Sequence, residues 1–309
     1  MSDQPQPPSP GSITGPVQWE VEGVRGYVTC PGVELHSKPT KPRDTTLFLD
    51  RVPTIFCLHT GCRAKVKAAN AALRSALRFT GAWQPPVLDA AARAKLCAKA
   101  ELDRQARRLA LAREQVLQAY RWPERQIHAD SPVSVTDPFH QFLGLFDSAD
   151  VLWCGEPHES GALANLANFR PIARWREARA PMRPFTCPNP FKPGVCARSR
   201  DNLAAKKHMV VECDALHPDP VENRDLSGAV FKFVLAARPE LRLRAVVDSG
   251  NKSLHGWFTY TPEAHEWAVA VLPAVGVDAA TLRLAQPVRC PGWFRRETGR
   301  LQSLLYLNP

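Results

Sequence analysis

An α+β fold in two modules is what this 309-residue sequence predicts. Three observations carry the expectation. Stretch 208–307 alternates strand-like and helix-like runs, and stretch 17–80 sets cysteines and histidines among short strand-like runs. Between them lies a region rich in Ala, Leu, Arg and Glu, with the composition of a helix.

In chain order, residues 1–16 are rich in Pro and Ser and predict a disordered tail. The small module, 17–80, carries "RGYVTC" (25–30), "TTLFLD" (45–50) and "PTIFC" (53–57) as strands. A helical linker region covers 81–130, densest over 88–120, and Pro123, Pro132 and Pro138 separate it from the core at 131–309. There "HMVVECD" (208–214) reads as a strand. "DLSGAVFKFVLAAR" (225–238) has helical spacing through Leu226, Val230, Phe233 and Ala237. "LRAVVD" (243–248) and "SLHGWFTY" (253–260) form a hairpin around Asp248-Ser249-Gly250-Asn251-Lys252. "PEAHEWAVAVLPAV" (262–275) starts with proline in a first helical turn, and "LQSLLYL" (301–307) closes as a strand. The order β-α-β-β-α-β is that of ferredoxin-like and RNA-recognition-motif domains.

Forty Lys and Arg against thirty Asp and Glu give a net charge of +10, which favours a polyanionic partner, nucleic acid being the commonest. The arginine-rich stretch near 93–125 reads as a solvated helix face. No apolar run has the length of a membrane span, and the start lacks a signal-peptide pattern; a cytoplasmic protein with no membrane partner is expected. Nine cysteines, an odd number without a secretory segment, favour reduced thiols and metal ligands over disulfides.

In the expected topology the first and third strands are central antiparallel neighbours. Glu212 and Asp214 stand two apart at the end of the first; Ser253 and His255 stand two apart at the start of the third. Period-two alternation puts each pair on one face, so two carboxylates and a histidine converge on the face that the helices leave open. Such carboxylates suit hard divalent cations, which clamp phosphate oxygens in phosphoryl transfer. Lys252, Arg289, Arg295 and Arg296 supply charge to neutralise a triphosphate.

"VVECD", "SGNKSLH" and "QPVRCPGWFRRETGRLQSLLYL" resemble the catalytic motifs of the archaeo-eukaryotic primase superfamily, in the versions carried by phages and plasmids. The resemblance covers about residues 140–309. It implies that Glu212 and Asp214 hold magnesium or manganese, with Asp278 as third catalytic acid ahead of Arg289-Cys290-Pro291-Gly292. It also implies that Ser253 and His255 belong to a Ser-x-His motif contacting the incoming nucleotide, with Lys252 and Arg289 on its phosphates. The expected partners are single-stranded DNA template and nucleoside triphosphates. No P-loop accompanies the motifs, so any replicative helicase is a separate protein. Two other readings stand beside this one: a non-catalytic origin- or strand-binding protein, and a metal-dependent nuclease using the same carboxylates.

"CPGVELH" (30–36) and "CLHTGC" (57–62) offer two ligand knuckles. Cys30, His36, Cys57 and Cys62 suit tetrahedral zinc, with His59 able to replace Cys57 as the third donor. The segment resembles the Cys-His-Cys-Cys zinc ribbon that accompanies many primases, which implies a structural zinc.

Overall fold

The structure, a computed structural model, describes residues 11–39, 41, 43–49, 52–79, 89–157, 167–178, 181 and 183–309. It divides into two compact units, 1–98 and 99–309. Of the tail expected over 1–16, residues 1–10 lie outside the described residues and Gly11–Thr14 make one helical turn (α1). Residues 81–88 of the expected helical region also lie outside them.

In the first unit, β1 (Gln18–Val21), β2 (Arg25–Tyr27), β3 (Thr45–Phe48) and β4 (Thr54–Cys57) form an antiparallel meander in that order. The three expected strands are β2, β3 and β4. Helix α2 (Arg63–Phe79), which the sequence reading left out, packs Leu73 and Leu77 against Val28, Leu47, Leu49 and Ile55. Asn70 fixes its height: its side-chain oxygen accepts from Ile55 N at 2.6 Å and its amide donates to Ile55 O at 2.9 Å.

Helix α3 (Ala90–Leu111) leads into α4 (Arg113–Ala119) and α5 (Glu124–Ala129). These are not a linker. Leu109, Leu117, Trp122 and Ile127 are buried in one cluster with Val211, Val230, Phe231 and Phe258. The boundary drawn at 131 therefore falls inside the second unit. The next elements are α6 (Pro138–Leu143), β5 (Val151–Gly155), β6 (Phe169–Pro171), α7 (Ile172–Trp175) and β7 (Phe185–Thr186). Then come β8 (His208–Glu212), α8 (Pro220–Ala237), β9 (Leu243–Asp248), β10 (Leu254–Thr259) and α9 (Pro262–Val271). The chain closes with β11 (Val288–Arg289), β12 (Phe294–Arg295), β13 (Arg300–Leu301) and β14 (Leu304–Leu307).

Three helices start on one local device, a capping side chain followed by proline. Asp137 caps α6, Asp219 caps α8 by accepting from Val221 N and Glu222 N, and Thr261 caps α9. The Asp219-Pro220 cap is why α8 begins at 220 rather than at the expected 225. Helix α8 then crosses Trp122 so closely that a Cβ at Gly228 would lie 2.0 Å from the Trp122 carbonyl oxygen; only glycine fits.

Along the chain β8-α8-β9-β10-α9-β14 follows the expected order, but across the sheet it departs. The four strands run β14-β9-β10-β8, all antiparallel. A ferredoxin-like sheet would put the last strand beside the first; β14 lies beside β9 instead, and β8 is an edge. The reason lies in what precedes β14. The β12–β13 hairpin is tied to the turn after β9, with Arg300 on Asp248 and Thr298 on the Gly250 carbonyl, so the chain emerges alongside β9. Edge strand β8 is covered at its start by Asn189, which accepts from Lys207 N and His208 N and donates to His208 O.

A separate sheet, β11-β7-β5-β6, and α6 cover the other face of the main sheet, where Phe142 meets Trp257 edge-on at 4.9 Å. The face opposite α8 and α9 is thus largely covered, not open as expected. The second unit is mixed α/β with small antiparallel sheets. No helix among the described residues is long and apolar enough to cross a membrane.

Candidate functional site

Antiparallel pairing puts His255 directly opposite Glu212, at the end of the sheet where β8 stops. Both residues share the face that holds Val210 and Trp257 lower down. His255 is 3% exposed, and its Nε2 lies 3.0 Å from Glu212 Oε1. That approach lacks hydrogen-bond alignment, and neither ring nitrogen has an aligned partner among the described residues. The Ser253 hydroxyl donates to the same Oε1 at 2.7 Å. Burial opposes ionisation of Glu212, but the attraction of His255 and the Ser253 hydroxyl outweigh it and hold the carboxyl down to about 2.

Asp214 lies just past the strand and is exposed, while Cys213 between the two acids points into the core. Desolvation and the Glu212 charge push the Asp214 carboxyl up, and Lys252 pulls it back. The Lys252 charge thus acts on Asp214. Asp278 arrives from far along the chain: its N–H donates to the Glu212 carbonyl at 2.9 Å, while its Oδ1 accepts from Ala280 N at 2.8 Å.

Two residues that the sequence reading did not single out assemble this site. Asn223, fully buried on α8, donates to Cys213 O and Lys252 O, each at 2.8 Å, and accepts from Leu216 N and His217 N. One amide with all its positions used holds the Asp214 loop to the Lys252 turn. Asp248, 3% exposed, accepts from Gly250 N and from Arg300 Nη2, each at 2.9 Å, so this carboxylate shapes the turn. Gly250 sits at φ 71°, the left-handed conformation the turn requires.

Arg289 stacks its guanidinium 4.1 Å above Phe185. Burial and repulsion from Arg295 lower its pKa, and Glu212 acts in the opposite sense, which places Arg289 within electrostatic reach of the acidic pair. Arg289, Arg295 and Arg296 line a cavity of about 240 Å³, and Arg295 also reaches the Ser249 carbonyl at 3.4 Å.

The acidic pair suits a magnesium-like ion in donor type: two carboxylates leave the remaining positions for water and phosphate oxygens. Among the described residues, however, the one group that brings three or more metal-ligating atoms together is Cys30, His36, Cys57 and Cys62, all within 4.8 Å of one another. Bonds of about 2.3 Å to sulfur and 2.0 Å to nitrogen at the tetrahedral angle imply about 3.5 Å between those ligand atoms. Cys57 Sγ and His36 Nε2 are 3.6 Å apart. Burial, reinforced by Cys30 and Cys57, pushes Cys62 up to about 12, and burial also raises Cys30 against the opposing effect of Gly32 N–H and Cys62; Cys57 is held down to about 6, against its own burial, by the Thr45 hydroxyl and His59 N–H. The donor set and its spacing, rather than these shifts, fit a metal. His59 stands outside it, stacked on His36 at 3.9 Å with its Nε2 3.9 Å from Asp44. Cys57, not His59, completes the four.

No family model matches the chain, and neither does any curated protein or solved structure.

The Glu212 environment has a pH signature. A carboxyl lowered from 4.5 to about 2 contributes stability that is full above pH 4.5 and lost as pH falls toward 2. The pH-dependent part of the stability difference between wild type and Glu212→Gln, on the order of 3 kcal/mol, should therefore be lost as pH falls from 4.5 toward 2 in denaturant titrations. A difference independent of pH from 6 to 2.5 would contradict the pairing.

Proposed function

We propose that this chain is a template-directed nucleotidyltransferase of the primase type, extending chains on single-stranded DNA in the replication of a phage or plasmid. The observation that carries the reading is the cross-strand pair of Glu212 and His255, with Ser253 on the same carboxylate oxygen. A strand-binding module has no use for a half-buried, ionised carboxylate aimed at a buried imidazole.

In this reading Glu212 and Asp214 hold magnesium or manganese, and Asp278 braces the end of β8 through its backbone. When bound, the ion lowers the cost of charge developing on the transferring phosphate. Ser253 and His255 keep Glu212 ionised and oriented, while Lys252, Arg289 and Arg295 bind the triphosphate oxygens. Asn223 sets the spacing between acids and lysine. The metal of the first unit is zinc, and its role is structural.

Incubation with labelled nucleotides, single-stranded template and manganese tests the proposal. New chains support it. Shortened template selects the nuclease reading, and a mobility shift without either selects the binding protein. Lys252→Ala should raise the KM for nucleotide by about tenfold or more, since it removes a charge-assisted phosphate contact, whereas His255→Ala, which releases Glu212, should lower kcat by a similar factor. Wild-type kinetics for nucleotide together with a lowered unfolding temperature would make both residues structural.

A further inference from the structure

The loop that carries Asp278 does more than reach Glu212. It is pinned to β8 twice: Asp278 N donates to the Glu212 carbonyl at 2.9 Å, and the Leu284 carbonyl accepts from Asn189, whose amide also binds His208. Between these anchors the loop forms one wall of a second cavity, of about 570 Å³, well inside the range of small-molecule sites. Its chemistry is mixed. Arg198, Arg200 and Arg283 line it together with Val269, Leu282 and Leu284. Among the described residues lining it there is no carboxylate. Arg198 is held in place, its guanidinium 4.4 Å above Trp153 and donating to Pro157 O at 2.9 Å. Val269 is 49% exposed on the cavity side of α9, an apolar surface of the kind a nucleobase covers.

We propose that this arginine-lined cavity beside the Asp278 loop is a second nucleoside-triphosphate site, separate from the one at Glu212. Three guanidiniums with no opposing carboxylate match a polyphosphate, and the apolar side chains take a base or sugar. The occupant is a triphosphate nucleotide, either free or as the 5′ end of a new chain. Its use in starting chains rests on the polymerase reading, because initiation without a primer requires two nucleotides held together; its binding does not.

Equilibrium dialysis of the full, zinc-bearing chain with labelled ATP, without added divalent cation, tests the site apart from synthesis. Wild type should bind one ATP per chain. The exposed pair Arg200→Glu/Arg283→Glu should weaken binding at least about tenfold. Val269→Glu, which sets a carboxylate among the apolar side chains, should do the same without touching an arginine. Competition by a 5′-triphosphate dinucleotide stronger than that by ATP assigns the site to a chain end; weaker competition assigns it to free nucleotide. Equal binding by wild type and both charge variants overturns the proposal, as does equal competition by a 5′-hydroxyl oligonucleotide, the sign of a general polyanion surface. A chain that binds ATP this way yet makes no primers leaves the cavity standing and removes the polymerase reading.

Discussion

Asp214→Asn should abolish nucleotide incorporation, by at least about a thousandfold, while leaving the fold and template binding nearly unchanged. The size of the loss follows from the role proposed for the carboxylate. Removing one charge from a cation site forfeits several kcal/mol of transition-state stabilisation, and each 1.4 kcal/mol is a factor of ten. The selectivity follows from placement. Asp214 is exposed beyond the end of β8, and the loop around it is held by Asn223 and by buried Cys213, neither of which the asparagine disturbs. Glu212→Gln is the contrasting variant. It alters the oxygen shared by Ser253 and His255, so it should lose stability as well as activity. Labelled-nucleotide incorporation and thermal unfolding of the two variants, measured together, check this. Synthesis at the wild-type rate by Asp214→Asn would remove Asp214 from the chemistry.

The parts of this fold legible in sequence are those fixed by local physics. The Asp-Ser-Gly-Asn-Lys turn sets the β9–β10 hairpin, because the residue it places at positive φ is Gly250, which adopts that conformation without strain. Period-two spacing put Ser253 and His255 on one face, and the pairing register set that face against Glu212. Strand order was not legible. It depends on where a two-residue-per-strand hairpin, β12–β13, docks, and strands of two residues carry no period to read. The same shortness hid β7 and β11 of the separate sheet. Asn223 was missed for another reason: the helix was expected to begin at 225, which left Asn223 in the preceding loop, and only the converging loop and turn reveal it as fully buried. The signal that was available and unused is the repeated cap. Asp137-Pro138 and Asp219-Pro220 mark helix starts as plainly as Thr261-Pro262 does.

A chain beginning at Asp89 should fold its second unit, whereas one beginning at Ser131 should not. The shorter chain loses Leu109, Leu117, Trp122 and Ile127 from the cluster that α8 and α9 bury. At about 2 kcal/mol for each aliphatic side chain, and at least as much for the tryptophan, the loss is about 8 kcal/mol. That is comparable to the whole stability of an ordinary domain. It also strands Arg224, 5% exposed, without Glu124, its partner at 2.6 Å. The first unit has a smaller core and a metal cluster in its place. The full chain should carry one zinc, and Cys30→Ser or Cys62→Ser should lose it and unfold the first unit alone, because metal-binding free energy in so small a module is folding free energy. Zinc analysis with hydrogen exchange resolved by segment separates the two units. In activity, the chain from Asp89 should lose primer synthesis and keep some extension, since an annealed primer already supplies the anchor that a first unit on the template would provide. Equal loss of both activities in that folded chain would make the zinc unit part of the catalytic unit, and the division between Ala98 and Lys99 would then separate two halves of one machine.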